Sequence, residues 1–325
     1  MNEEVKTSKS KEILRKLLKN YGIGLVLIAL LVIGTILVPS FMSIKNITNV
    51  LRQISVTGTL ALMESLLIIS GQIDLSAGSV IAFAGMVSAQ VYLSSGSLFL
   101  GILVALAISC ACMLLSGLFV AKVGLTAFIT TMAVDYIARG AAFLYTGGEA
   151  TYEIGNYSVI STTYIGPIPL PVIILIACAI GCAIIMNKTT LGRSIFAVGG
   201  NVSAANASGV KVSRTLILTF LIGGILTGIA AVLQIARVNS AIPNTAEGYH
   251  GDAITAAVIG GTSFSGGVGT VGGVLIGATI MGFLTNILNL VGLGSYYQQV
   301  TKGVIIILAL TFDTLSKNKK IKRRK

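Results

Sequence analysis

Long apolar stretches, separated by short polar or glycine-rich interruptions, run almost the whole length of the chain. Uninterrupted apolar windows cover 22–38, 54–70, 75–93, 98–121, 125–145, 170–186, 214–236, 252–262, 270–292 and 296–313. A helix needs roughly 20 apolar residues to cross the hydrocarbon of a bilayer. Most of the windows approach that length, and 252–262 falls short of it. The pattern predicts an all-α polytopic membrane protein with about ten transmembrane helices. The first window follows a leader containing Glu3, Glu4 and Glu12 and ends at Pro39-Ser40, so it is expected to be a retained span.

Composition sharpens this expectation. The 325 residues are 54% hydrophobic and only 10% charged, and the mean hydropathy is +0.91. A water-covered surface needs about 25% charged residues. The net charge of +12, from 23 basic and 11 acidic residues, has a definite location. Residues 1–20 carry six basic and three acidic side chains, and residues 317–325 carry seven basic ones. Basic flanks beside apolar spans mark the cytoplasmic side, so both termini are expected there. No aromatic stacking residues are interleaved with these charges, which argues against nucleic acid as a partner. The resulting organisation is a basic cytoplasmic segment 1–20, one transmembrane domain 21–315 and a basic cytoplasmic tail 316–325. Lys188, Arg193, Lys211 and Arg214 lie in or beside the connection 187–213, expected inside. Glu149 and Glu153 lie in 146–169, expected outside with Lys45 and Arg52 of the first outer loop.

Glycine falls into two patterns. Gly224 with Gly228, and Gly273 with Gly277, are four apart and suit close helix packing. Two other clusters interrupt the apolar pattern, GQIDLSAGS at 71–79 and GGTSFSGGVG at 260–269. Each combines glycine with small hydroxyl residues and follows a segment predicted to run inward, as a weak internal repeat would. Irregular backbone at membrane depth is tolerated only where protein or a wet cavity satisfies it, and paired interruptions point to a transport pathway. These are the two broken or re-entrant segments of the predicted fold. Candidate path residues are Gln72, Asp74, Ser76, Ser79, Asp252, Thr262, Ser263, Ser265 and Gly266, with Asn286 and Asn289 further along.

Charges inside apolar windows are sparse, and Glu64, Asp74, Asp135, Arg139 and Asp252 are the main cases. Asp135 and Arg139 are four apart on one helical face and are expected to form an intramembrane ion pair. Asp74 and Asp252 have no such neighbour and start spans, so capping is expected of them. His250 is expected in an outer loop without a role. Cys110, Cys112, Cys178 and Cys182 sit in apolar runs without zinc spacing and read as small hydrophobes. No HExxH, Gly-x-Ser-x-Gly or phosphate-binding Gly-Lys-Ser/Thr ending occurs. Neither catalysis nor a metal is expected, and any nucleotide must be bound by another subunit.

The connection 187–213 is the third feature. Gly199-Gly200 breaks it, Asn201 is a good helix N-cap, and 202–208 is a short run closed by Gly209. A small helix with an alanine and serine surface suits insertion into a partner's groove.

With these pieces in view, the chain resembles the membrane permease subunit of ribose/xylose/galactose-type ABC importers from about residue 20 onward. The resemblance rests on GQIDLSAGS at 71–79, TLGRSIFAVGGNVSAANASGV at 190–210, DAITAAVIGGTSFSGGVGTVGGVLIGA at 252–278 and NILNLVGLGSYYQ at 286–298. It implies a multi-pass protein of the bacterial plasma membrane that acts as a homodimer, with a separate cytoplasmic ATPase of two nucleotide-binding halves and an extracytoplasmic sugar-binding protein. ATP and Mg would be held by that ATPase, and no cofactor by this chain. Gly192, Arg193, Gly199, Gly200, Asn201, Ala204, Ala205, Ser208 and Gly209 match the segment that would couple to the ATPase. The chain departs from the family at Gln72 and Ile287, where glycine is usual, and at Gly273, where threonine is usual. A proton-coupled secondary transporter using Asp74, Asp135 or Asp252 is the alternative function, although a self-sufficient carrier has no need of a partner-shaped loop.

Overall fold

The computed structural model describes the backbone of residues 23–322 and side chains as far as Thr311. The basic segment 1–20 and the side chains of the tail 316–325 lie outside the described residues.

Thirteen described helices follow one another: α1 (Ile23–Leu37), α2 (Ile44–Ile69), α3 (Ala77–Ser95), α4 (Leu98–Leu118, prolonged by a π turn to Val123), α5 (Ala127–Thr146), α6 (Val159–Thr162), α7 (Leu170–Lys188), α8 (Thr190–Gly200), α9 (Val202–Ala207), α10 (Val212–Val238), α11 (Tyr249–Ile259), α12 (Val271–Leu290) and α13 (Ser295–Lys322). Every apolar window has its helix. Among the described residues seven helices, α2, α3, α4 with its π turn, α5, α7, α10 and α12, are long and apolar enough to cross a membrane. The short window at 252–262 is α11, whose 11 residues rise only about 16 Å, roughly half the hydrocarbon thickness.

Two boundaries differ from the sequence reading. Helix α2 starts ten residues before its apolar window because Ser43 caps it, its Oγ accepting from Asn46 N at 3.3 Å. Arg52, expected in a loop, is therefore helical. It donates to the Tyr164 hydroxyl at 2.8 Å and lies 5.3 Å from the centre of that ring. The connection 187–213 contains a second helix, α8, capped by Thr189, whose Oγ1 accepts from Gly192 N at 3.1 Å.

Helix α2 is the centre of the bundle. Every residue from Ile54 to Ile69 is buried, so this stretch of the helix has no lipid-facing stripe. Helix α10 packs along α2, α3 and α4. Its glycines set the spacing: a Cβ at Gly224 would lie 2.7 Å from Cys110 Cα, and one at Gly228 would lie 2.9 Å from Leu106 Cα. Helix α12 approaches α11 in the same way, since a Cβ at Gly277 would lie 2.0 Å from Ala256 O.

Contacts between segments define two ends. At one, Ser213 at the start of α10 donates to Ala121 O at the end of α4 (2.9 Å), and Gly267 N donates to Ile69 O at the end of α2 (2.9 Å). At the other, β1 (Thr151–Tyr152) pairs antiparallel with β4 (Ser240–Ala241), and β2 (Tyr164–Ile165) pairs with β3 (Ile168–Pro169). Between these strands Tyr157 plugs the α3–α4 hairpin. Its hydroxyl lies 2.7 Å from Ser88 Oγ, which donates onward to Gly101 O at 2.7 Å. Burial pushes the Tyr157 hydroxyl up to about 12, so it remains a donor throughout the physiological range.

Replacing Gly224 with valine must push α10 away from α4. Overpacking of this kind costs about 1–3 kcal/mol. A lowered thermal unfolding temperature of the detergent-solubilised protein is expected, while alanine at the exposed helical Gly140, which has open space around it, does not lower it, since alanine is the better helix former.

Candidate functional site

The two interrupted segments share one local construction. Helix α2 ends at Ser70, Gly71 turns left-handed (φ +81°), Gly71 N bonds Ile68 O and Gln72 N bonds Leu67 O, both at 2.9 Å. Helix α11 ends at Gly260, Gly261 turns left-handed (φ +90°), Gly261 N bonds Val258 O and Thr262 N bonds Ala257 O, again at 2.9 Å. Both are Schellman ends, which satisfy the last carbonyls and halt the helix where only glycine adopts the turn without strain. The same end also closes α9 at Gly209 and α12 at Gly292, so it does not by itself make the two segments a structural repeat.

Both ends meet the end of α8. A Cβ at Gly199 would lie 1.6 Å from Ile69 O and 2.9 Å from Gly267 N, and one at Gly266 would lie 2.6 Å from Gly199 O. Gly267 in turn approaches Gly200 Cα, its added Cβ falling at 3.0 Å. Three segments therefore touch backbone to backbone. Beyond this junction Asn201 caps α9, its Oδ1 accepting from Ala204 N at 2.8 Å, and Gly209 (φ +81°) closes it. Within α9 the exposed face is Val202, Ser203, Ala204, Asn206 and Ala207. Ala205, expected to enter a partner's groove, instead faces the protein core and is 5% exposed. Gly192 permits the α7–α8 corner, where a Cβ would lie 2.2 Å from Ile185 O, and Arg193 is exposed. Ser208 is exposed too.

After Gly71 the chain doubles back along α2. Asp74 N reaches Glu64 Oε2 at 3.5 Å, about 7 Å back along the helix axis from Ile69. Gln72 is partly buried, while Asp74 and Ser76 are fully buried. Asp74 Oδ1 accepts from Ser76 N at 3.2 Å and Ser76 Oγ at 2.6 Å; it therefore orders the turn ahead of α3, whose N-cap Ser76 makes no side-chain capping bond, and is not the cap expected of it. Glu64 Oε1 and Asp74 Oδ2 are buried without a hydrogen-bond partner.

One turn into α3 lies the expected ion pair, and the expectation needs correcting. Asp135 and Arg139 do not pair directly; both bind the Ser79 hydroxyl. Ser79 Oγ donates to Asp135 Oδ1 and accepts from Arg139 Nε at 3.0 Å. Arg139 Nη1 points elsewhere, donating to Pro243 O at 2.7 Å and Thr245 O at 3.1 Å in the turn segment that leads into α11. The guanidinium is thus shared between the Ser79 hydroxyl and two backbone carbonyls, and Asp135 is left with the Ser79 hydroxyl. Close by, Ala246 O abuts Gly78, whose added Cβ would lie 2.4 Å away. This brings the starting turns of α3 and α11 together.

Asp252, in the first turn of α11, had no local partner in the sequence and was expected to act at the helix N-terminus. Lys302 of α13 bonds it at 2.6 Å, the salt bridge observed among the described residues. The lysine sits within an apolar window, which is the signal that could have exposed it. His250 is also displaced from its expected loop: it opens α11, within electrostatic reach of Asp135, Asp252 and Arg139.

The remaining path candidates lie elsewhere. Thr262 and Ser263 are buried in the turn beside the α8 junction, their hydroxyls without a partner, and Ser265 and Gly266 belong to the same turn. Asn286 exchanges amide bonds with Asn46 at 2.8 and 2.9 Å, and Asn289 accepts from Gln298 at 2.8 Å, both toward the opposite end. The candidates thus form three groups. Among the described residues no set of three His, Cys, Asp or Glu side chains converges as metal ligands would.

Apolar helices of crossing length, buried polar breaks between them and an exposed helix pair at one end make up a multi-pass membrane transport protein. The chain belongs to the family described as branched-chain amino acid transport system / permease component, whose pattern matches residues 46–310. It is 38% identical to the ribose import permease protein RbsC of Escherichia coli (strain K12), over 88% of this chain and 91% of that one. To RbsC of Bacillus subtilis (strain 168) it is 35% identical over 96% and 98% of the two chains. The L-arabinose transport system permease protein AraH of Escherichia coli (strain K12) is 35% identical over 90% of each. The resemblance read from the four motifs therefore holds: the relatives are monosaccharide ABC importer permeases. No solved structure matches the chain.

Arg139→Met removes the donor to two interior carbonyls and leaves Asp135 with Ser79 alone. The half-buried position reduces the cost below that of a fully buried pair, to about 2 kcal/mol. Thermal unfolding is expected at lower temperature in Arg139→Met, with Arg139→Lys intermediate because one ammonium cannot reach all three oxygens.

Proposed function

We propose that the chain is the translocation subunit of an ATP-driven importer of a pentose-class monosaccharide, with α8 and α9 facing the cytoplasm. In this reading α9 docks on a separate ATPase through its exposed face, two copies of the chain assemble, and an extracytoplasmic binding protein delivers the sugar at the β1–β4 end. The orientation is supported by charge: Lys188, Arg193, Lys211 and Arg214 cluster at the α8–α9 end, while Glu149 and Glu153 flank β1.

The observation that carries the reading is the backbone junction of α8 with both broken segments. A push on α9 reaches Gly199-Gly200 through one peptide turn. Because Ile69 O, Gly199 and Gly267 N are in direct contact, α8 cannot shift without carrying the end of α2 and the 260–270 turn with it. Those lead into the buried polar breaks at Asp74 and, through α11, at Asp252. Packed interfaces of this kind switch between discrete arrangements instead of deforming gradually, as alternating access requires. A sugar carries no net charge, so it needs hydrogen-bonding groups along its route and no ionic clamp. Gln72, Asp74, Ser76, Ser79, Thr262 and Ser263 offer such groups.

The sugar assignment follows the relatives named for ribose and L-arabinose, each covering about nine-tenths of the chain or more. The family description mentions branched-chain amino acids, so substrate class is the first thing to test. Proteoliposomes holding the permease, its ATPase and the cognate binding protein are expected to accumulate ribose or arabinose on ATP addition and to leave leucine outside. ATP-independent uptake, or uptake of leucine instead, overturns the assignment. In the same assay Gly199→Ala, which sets a methyl group against Ile69 O, is expected to lower uptake at least about tenfold, equivalent to 1.4 kcal/mol in the transport barrier, while ATPase binding persists.

A further inference from the structure

We propose that the cleft between α8 and the start of α10 is a binding site for the headgroup of an anionic phospholipid. The cleft has a volume of about 460 Å³. Thr190 and Ser194 of α8, the turn from Ser208 to Lys211, and Arg214 with Leu218 of α10 form its wall. Both charged residues in that wall, Lys211 and Arg214, are basic and exposed. The wall is built wholly from the stretch between Glu153 and Glu247, which contains no acidic residue, so nothing on it neutralises them.

Three features select a phospholipid headgroup. Helix α10 starts at the cleft without a side-chain cap on its first turn, which leaves N–H groups and the positive end of a 27-residue helix beside the two cations. Thr190 adds a hydroxyl suited to phosphate or glycerol oxygens, while the Ser194 hydroxyl donates to Thr190 O at 3.0 Å and offers the cleft only its oxygen. The cleft is also graded: Leu191 and Leu218 give it an apolar side, and Leu218 lies about 9 Å into α10, a helix of crossing length. A headgroup seated between Lys211 and Arg214 would have its acyl chains directed along that apolar side. Basic clefts between helices at the cytoplasmic boundary take anionic headgroups for this reason. Free phosphate shares the charge but makes no use of the apolar wall. A carboxylate of a partner protein is the competing occupant, and it has no use for that wall either.

The site would tie the coupling helices to the membrane surface, because lipid held here bridges α8 and α10 across the turn that carries Ser208 and Gly209. The inference rests on the cytoplasmic orientation proposed above, but lipid retention is read without any transport measurement, so the two can fail separately.

The test uses the full-length chain purified in mild detergent from cells containing phosphatidylglycerol and cardiolipin. Native mass spectrometry is expected to show retained anionic phospholipid, reduced about tenfold in the Lys211→Gln/Arg214→Gln double variant, in line with the loss of two cationic contacts. Lys188→Gln, which removes a basic residue outside the cleft wall, should retain it. In nanodiscs, adding phosphatidylglycerol to phosphatidylcholine should raise the unfolding temperature of the wild type and leave that of the double variant unchanged. The unfolding temperature in phosphatidylcholine alone reports whether the variant is folded. Equal lipid retention by wild type and double variant overturns the proposal. So does displacement of the lipid by millimolar inorganic phosphate, which would make this a free-phosphate site. Loss of ATPase binding with lipid retention unchanged would assign the cleft to the partner protein and also overturn it.

Discussion

The structure depends on one constraint: at Gly199 three stretches of backbone meet with no room for a single additional carbon. Ile69 O accepts from Gly267 N, and a methyl group at Gly199 would overlap that oxygen. Van der Waals contact between main chains has no side chain that can rotate away, so it behaves as a rigid splice. The splice joins the central helix α2, the turn between α11 and α12, and the helix pair α8–α9. Two of the three arrive with the same left-handed glycine end, which fixes the direction in which the chain leaves each helix. Motion at the exposed pair is thereby a motion of the bundle's centre.

Away from the splice, two cations in the apolar bundle reach partners distant in sequence. Arg139 holds the segment leading into α11 by two carbonyls and holds α3 by Ser79, and Lys302 holds α11 from α13. These contacts bring the first turns of α3 and α11 together. Each of those helices follows an irregular stretch, and each presents buried polar side chains next to it. Glu64 Oε1 and Asp74 Oδ2 stand there without partners, a cost of the kind that membrane proteins retain at functional positions.

Local rules made much of this legible in the sequence. Caps are encoded within four residues, so Asn201 and Gly209 were readable as such, the glycines at 71 and 261 were legible only as interruptions, and the fourfold spacing of Gly224 and Gly228 signalled close packing before any partner was known. Apolar windows located every major helix, while the polar start of α2 was lost because hydropathy ignores helix propensity and capping. What remained hidden was long-range. A spacing of four suggested that Asp135 and Arg139 would bond each other, but the guanidinium is claimed by carbonyls more than 100 residues away. Lys302 and Asp252 are 50 apart, and Ala205 faces inward on a helix of six residues, too short for its alanine and serine pattern to reveal a buried side. The path residues likewise separated into three groups, since sequence order carries no information on depth.

The claim that α9 and the 260–270 turn move as one body can be measured by double electron–electron resonance on the assembled transporter. In a background with the four cysteines replaced, one copy would carry labels on the exposed residues Val202 and Phe264, with Tyr152 at the opposite end as a reference. The account predicts that ATP leaves the 202–264 distance unchanged while the distances from both to 152 shift together. A change in the 202–264 distance with the reference distances fixed would contradict it.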